Sequence, residues 1–189
     1  MKDIFFYPLA ALIIGGMVYF ALSFGADDGP ANADLYELSG DSLTALFPSP
    51  GTTMQLASDG QNGGSYAVAS SHMTRAEAPP SAGVFGTLGP AYEKNFGGQE
   101  IRITVRARYG RSNPALKFET AYFSSGAGDS EWQNYALTEK FADYSFLFTP
   151  GKPQGKKGND YIGIWPDPTG QQGSIDIMSV RVERVAPQL

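Results

Sequence analysis

From Glu100 to Arg108 the chain reads EIRITVRAR, with Ile101, Ile103, Val105 and Ala107 on one face and Arg102, Thr104, Arg106 and Arg108 on the other. Strict period-two alternation predicts a half-buried strand. Strand-like runs recur on both sides of it: Thr52–Ala57, Ser65–Ser71, Gly83–Leu88, Ala115–Phe123, Glu131–Leu137, Tyr144–Thr149 and Asp160–Trp165. Turn signals such as SDGQNGG and GRSNP separate them. The last run, Ser174–Val185, alternates through Ile175, Ile177, Val180 and Val182, and its phase slips at Met178-Ser179, which predicts a bulge. Pro90–Phe96 reads as a short helical or irregular connection. A succession of short strands at close turn spacing predicts an all-β, antiparallel β-sandwich or barrel.

The N-terminal pattern is different. Ile4 to Phe24 carries no charge, and as a helix it spans ~30 Å, about one hydrocarbon core. Residues 1–25 are therefore expected to form a single transmembrane helix. Lys2 precedes the run, Asp27 and Asp28 follow it, and no Lys or Arg recurs before Arg75. That bias predicts a single-pass protein with a cytoplasmic N-terminus and a periplasmic or extracellular C-terminal domain. A cleaved signal peptide is the alternative, but its apolar region is about 7–15 residues long, and Ala31-Asn32-Ala33 lies well past the run. Residues 26–50 read as a linker and lead-in segment in which LYELSGDSLTALF holds a short helical turn or a first strand, and 51–189 as the sandwich domain.

Cysteine is absent from the 189 residues, which excludes disulfides, zinc-thiolate sites and thiol chemistry. A net charge of −5 without a long basic run argues against nucleic acid as a partner. Aromatics at 13% point to a β-rich core or an aromatic binding face.

Gly40-Asp41-Ser42-Leu43 spells the signature of a hydrolase family in which the serine is the nucleophile. The chemistry needs a histidine base, and the single histidine, His72, has no D-x-x-H context. A capped turn is the plainer reading. Asp129 and Glu131 lack any mark of a catalytic carboxylate pair. Lys152, Lys156 and Lys157 read as a solvated loop. Arg102, Arg106 and Arg108 form a basic stripe, either paired across strands with neighbours such as Lys117 and Glu119 or open to an anionic ligand.

The order of elements from Gly83 to Val185 resembles the jelly-roll carbohydrate-binding modules of the galactose-binding-like superfamily. The residues carrying the resemblance are Gly83-Val84-Phe85, Ile101 to Arg108, Trp132, Leu137-Thr138, Phe141 to Phe146, and Ile175 to Glu183. It implies a non-catalytic sandwich that displays aromatic residues to a sugar. Trp132, Tyr135, Tyr144, Tyr161 and Trp165 are the aromatic candidates, with Arg102 and Arg106 as polar ones. It also implies a structural calcium, with Asp176 as one ligand and Glu37 as its N-terminal partner; no other cofactor is expected. The functional expectation is a membrane-anchored binder of a glycan or protein partner. The alternative is an accessory subunit of a larger membrane complex, whose helix docks through the Ala11/Gly15 face; a hydrolase is third.

Overall fold

A computed structural model shows two antiparallel sheets packed face to face. The structure describes residues 33–59, 64–81, 83–125, 127–153 and 158–185. The expected helix over Ile4–Phe24 and the loop lysines Lys156 and Lys157 lie outside the described residues. Among the described residues, no helix is long and apolar enough to cross a membrane.

The elements are β1 (Leu35–Ser39), a 3₁₀ turn (Gly40–Ala45), β2 (Leu46–Pro48), β3 (Thr52–Asp59), β4 (Gly64–Ser71), β5 (Val84–Leu88), α1 (Pro90–Phe96), β6 (Ile101–Tyr109), β7 (Lys117–Ser124), β8 (Gly128–Asp129), β9 (Gln133–Ala136), β10 (Ala142–Phe148), β11 (Asp160–Trp165) and β12 (Ser174–Arg184). The first sheet runs β10-β6-β12-β4-β3, with β1 also beside β12; the second runs β2-β5-β11-β7-β8, with β9 also beside β7. The lead-in region supplies two of these strands. Leu35–Ser39 pairs with β12 and Leu46–Pro48 with β5, so the chain changes sheets across the 3₁₀ turn.

That turn contains the GDSL tetrapeptide. Ser42 Oγ donates to the Ser39 carbonyl at 2.8 Å and accepts the Ser39 N–H at 2.7 Å, while Leu43 is buried. The serine closes a turn, and His72 is exposed at the far end of β4.

Period-two patterning sets the core. Ile101, Ile103, Val105 and Ala107 of β6 meet Ile175, Ile177, Val180 and Val182 of β12, and Val84, Phe118, Ile162 and Ile164 close over them from the second sheet. Each Ile, Val and Phe side chain among them contributes roughly 1.5–3 kcal/mol on full burial. The register of β12 against β6 shifts between Ile177 and Ser179, which is the expected bulge. The extra residue restores the inward phase, so both halves of β12 bury their apolar members.

Buried polar groups tie the connections to the sheets. Asp160 accepts Tyr122 Oη at 2.6 Å and Ser124 Oγ and the Ser125 N–H at 3.1 Å each. Asp167 accepts the Thr169 N–H, Thr169 Oγ1 and the Gly173 N–H. Gly83, at φ +139°, leads into β5; a Cβ there would lie 2.8 Å from the Ile164 carbonyl oxygen, so only glycine fits.

Candidate functional site

The basic stripe of β6 lies on the outer face of the first sheet. Because β6 sits between β10 and β12, and β7 belongs to the other sheet, its arginines pair with Asp143, Asp176 and Glu183 rather than with Glu119. Arg106 Nη1 is 3.0 Å from Asp143 Oδ1. Arg102 Nη1 is 4.0 Å from Glu183, which also holds Arg181 at 2.8 Å. Arg102 and Arg106 thus both face carboxylates, and Arg102 shares Glu183 with Arg181.

The third arginine is mostly buried. Arg108 Nε and Nη2 both lie 2.8 Å from Asp176 Oδ2, and its guanidinium rests 4.3 Å from the Phe141 ring centroid. A guanidinium therefore neutralises Asp176, the expected calcium ligand. Glu37 does not join it: Glu37 is exposed on β1, opposite Arg181 in register. No cluster of three or more His, Cys, Asp or Glu residues forms among the described residues.

The aromatic candidates divide by face. Tyr135 stacks on Phe118 at 5.6 Å and donates to the Ser145 carbonyl at 3.0 Å; desolvation raises its phenol pKa. Tyr144 meets the same Phe118 edge-on at 5.2 Å. Both seal the open side of the sandwich between β9 and β10. Trp165 is 0% exposed, and its indole N–H goes to the Asp167 carbonyl at 3.1 Å. Trp165 is therefore a packing residue with its ring committed to the protein, and Tyr135 is half-buried at the rim of the core.

Trp132 and Tyr161 lie elsewhere, on the outer face of the second sheet. Cross-strand register places Tyr161 beside Thr87 and Phe123, Gly163 beside Phe85 and Ala121, and Trp165 beside Glu119. The inward residues Ile162 and Ile164 belong to the main core, so this set points outward. Phe47 pairs with Phe85 on the edge strand β2. A row of rings crosses the strands: Phe47 to Phe85 at 6.2 Å, Phe85 to Tyr161 at 6.1 Å, then Phe123, which meets Trp132 at 5.6 Å. The outward positions of the middle strands at Gly163 and Ala121 carry almost no side chain, so the rings stand above a low floor.

The row holds exposed apolar surface, Phe47 at 55% and Tyr161 at 37%. Ser81, Phe85, Phe123 and Tyr161 enclose a cavity of about 290 Å³. Larger hollows, of about 600 and 370 Å³, lie where charged and loop residues such as Arg111, Glu139, Lys140 and Gln171 converge. Among the described residues, the larger of the two has Tyr109 and Phe141 among charged side chains and the other has no aromatic ring, whereas the smaller cavity has three rings and two hydroxyls. Apolar walls with a few orienting polar groups are the usual make-up of a small-molecule site.

The segment between β4 and β5 bounds the row. Arg75 lies between two indoles, 4.7 Å from the Trp132 centroid and 5.0 Å from that of Trp165. Its Nη2 donates to the Pro79 and Pro80 carbonyls at 2.8 and 3.2 Å, and Trp132 Nε1 donates to Pro80 at 2.9 Å. Burial lowers the guanidinium pKa, and the Glu119 carboxylate opposes that shift. Ala78, Met73, Trp132 and Trp165 form a small second core beneath the segment. Phe47, Phe85 and Phe123 are the site residues that sequence reasoning missed. Each has the outward phase of its own strand, a signal readable only once the sheet order is known.

No family model matches this sequence, and no curated protein matches it. Solved structures do share its fold. The tandem CBM22-1–CBM22-2 domains of Xyn10C from Paenibacillus barcinonensis match with a TM-score of 0.56 at 8% identity, over 82% of this chain and 46% of that one. This chain thus spans about half of that tandem structure. The separate CBM22-2 and CBM22-1 xylan-binding domains of the same protein match with TM-scores of 0.54 and 0.52, at 10% and 6% identity, over 79% and 81% of this chain and 99% and 95% of theirs. At such identities the likeness is one of fold: the described residues form an antiparallel sandwich of the kind found in carbohydrate-binding modules.

Proposed function

We propose that this chain is a non-catalytic glycan-binding protein whose site is the aromatic row on the outer face of the second sheet. The observation that carries the reading is the set of outward rings, Phe85, Tyr161 and Phe123, around a cavity beside the hydroxyls of Ser81 and Tyr161. The flat C–H face of a pyranose buries against such rings while hydroxyls find hydrogen-bond partners at the rim. The fold shared with xylan-binding domains supports the same reading. Among the described residues, the cavity lining carries no charged group, which suits a neutral polysaccharide of the xylan or β-glucan type. The apolar run Ile4–Phe24 tethers the sandwich outside the membrane, and carbonate extraction that leaves the chain in the pellet is the corresponding check.

Affinity electrophoresis of the full-length chain in gels containing soluble xylan or mixed-linkage β-glucan tests the binding site. Tyr161→Ala and Phe85→Ala are each expected to weaken retardation at least tenfold, about 1.4 kcal/mol. Arg106→Ala, on the opposite sheet, is expected to leave it unchanged. Loss of binding with Arg106→Ala and full retention with both ring variants would relocate the site to the arginine face.

A further inference from the structure

We infer that Arg75 is the positioning residue of the aromatic site: it stands outside the cavity lining and ties two of the lining residues, Ser81 and Phe123, to one anchor. This rests on the glycan-binding reading above and names the residue that holds the site in shape. The local sequence aims the side chain. Thr74 and Glu77 close a turn around it: the Thr74 N–H and Oγ1 donate to Glu77 Oε2 at 3.1 and 2.8 Å, and the Glu77 N–H donates to the Thr74 carbonyl at 3.2 Å. The Arg75 N–H donates to the Pro168 carbonyl at 3.2 Å, which fastens the backbone to the turn after β11. The guanidinium then meets both indoles, 4.7 Å from the Trp132 centroid and 5.0 Å from that of Trp165. Trp165 is buried with its N–H on the Asp167 carbonyl, so it is the fixed side of this slot. Trp132 is half-buried and is the side that is held.

Two routes lead from the slot to the cavity. The first follows the chain. Arg75 Nη2 donates to the Pro79 and Pro80 carbonyls at 2.8 and 3.2 Å, and the next residue, Ser81, lines the cavity. Proline has no N–H, so the backbone at 79 and 80 hydrogen-bonds only through its carbonyls. Beyond Ser81 the chain is fastened again at Gly83, whose N–H donates to Ser49 Oγ at 2.6 Å. The second route runs through side chains. Trp132 Nε1 donates to the same Pro80 carbonyl at 2.9 Å, and its ring meets that of Phe123 at 5.6 Å. Phe123 also lines the cavity. The Pro80 carbonyl is shared by both routes, so one guanidinium sets where Ser81 and Phe123 stand relative to each other.

Packing alone does not call for arginine at this position. Arg75 Nη1 is buried without a hydrogen-bond partner among the described residues, and a buried donor left unpaired costs stability. Methionine would fill the slot without that cost, and its thioether packs well against rings. What methionine lacks is the pair of bonds to the Pro79 and Pro80 carbonyls and the charge over two indoles. Those are the contacts that bear on the cavity.

Calorimetric titration of the full-length chain in a sugar-free zwitterionic detergent, with soluble xylan and mixed-linkage β-glucan as probes, tests the inference. Arg75→Met is expected to weaken binding about fivefold, within the range of coupling between neighbouring residues. Because Arg75 acts through the cavity residues, its effect should shrink where one of them is already cut back. In a Ser81→Ala background the same replacement is expected to cost about twofold or less, the non-additivity of coupled sites. A purely structural role would not produce that coupling. If Arg75→Met fails to fold, Trp132→Phe decides: it keeps a ring against Phe123, removes the N–H to Pro80, and should weaken binding about threefold. Unchanged affinity in the folded variant, or a loss repeated in full in the Ser81→Ala background, would overturn the positioning role and leave glycan binding standing. No heat from the unaltered chain with either polymer would remove both.

Discussion

Replacing Asp176 with alanine is expected to destabilise the fold by about 3–5 kcal/mol, the loss typical of removing one member of a buried ion pair. For a domain of this size that lowers the thermal midpoint by roughly 6–20 °C. Asp176 is 3% exposed at its side chain and Arg108 14%, and two guanidinium nitrogens reach the same carboxylate oxygen at 2.8 Å. Alanine leaves a guanidinium confined between Phe141, Tyr66 and the sheet without its counter-charge. The double replacement Arg108→Met with Asp176→Leu is expected to recover most of the loss, because apolar side chains of similar volume do not require solvation. Urea unfolding of the three variants reads this directly. The same experiment with EDTA separates the ion pair from a metal site. If a divalent ion held Asp176, chelation would mimic the alanine variant; the geometry predicts an unchanged midpoint in EDTA.

The Arg108–Asp176 pair also shows where sequence reading stops. The alternation from Ile101 to Arg108 and from Ile175 to Val182 made both strands, their inward members and the bulge at Met178-Ser179 legible, because a half-buried strand must repeat every two residues. Nothing in that pattern says which strands are neighbours. Once β12 lies beside β6, Asp176 stands opposite Arg108, and the expected calcium ligand becomes a counter-ion. The crossing of β6 to β7 from one sheet to the other likewise takes Glu119 out of reach of the arginine stripe.

The aromatic residues follow the same logic. Trp132, Tyr135, Tyr161 and Trp165 look equivalent in sequence, yet tertiary pairing gives each a different environment. Tyr161 stays open because β11 begins at an uncovered part of the sheet, while Trp165, four residues on, passes under the 73–80 segment. Phe47 is not legible as a site residue because LYELSGDSLTALF reads equally as a helical turn or a first strand; its outward position follows from Leu46, which faces the core and fixes the phase of β2.

Alkaline pH is expected to unfold this protein earlier than its compact core would suggest, through Tyr36 and Tyr122. Burial, reinforced by the neighbouring Tyr92, pushes the Tyr36 phenol up to about 12. Tyr122 is raised further. Burial is the largest cause, followed by the Asp160 carboxylate, to which its hydroxyl donates at 2.6 Å, and then Glu93. In the unfolded chain both phenols ionise near pH 10. The folded state holds these protons more tightly, so the stability they contribute is complete below about pH 10 and is lost as pH rises. Each phenol held protonated in the fold lowers stability by up to ~1.4 kcal/mol per pH unit above that point. The Tyr36 contribution levels off near pH 12, and that of Tyr122 continues beyond it. Two such groups make the slope between pH 10 and 12 up to ~2.7 kcal/mol per unit. Tyr122→Phe is expected to start lower at pH 8, since Asp160 loses the Tyr122 donor and keeps those of Ser124 and Ser125, but to fall about half as steeply. Tyr36→Phe should halve the slope in the same way. Urea midpoints collected at pH 8, 9, 10 and 11 for the unaltered chain and both phenylalanine variants decide it: three parallel curves would mean that neither phenol carries the alkaline sensitivity.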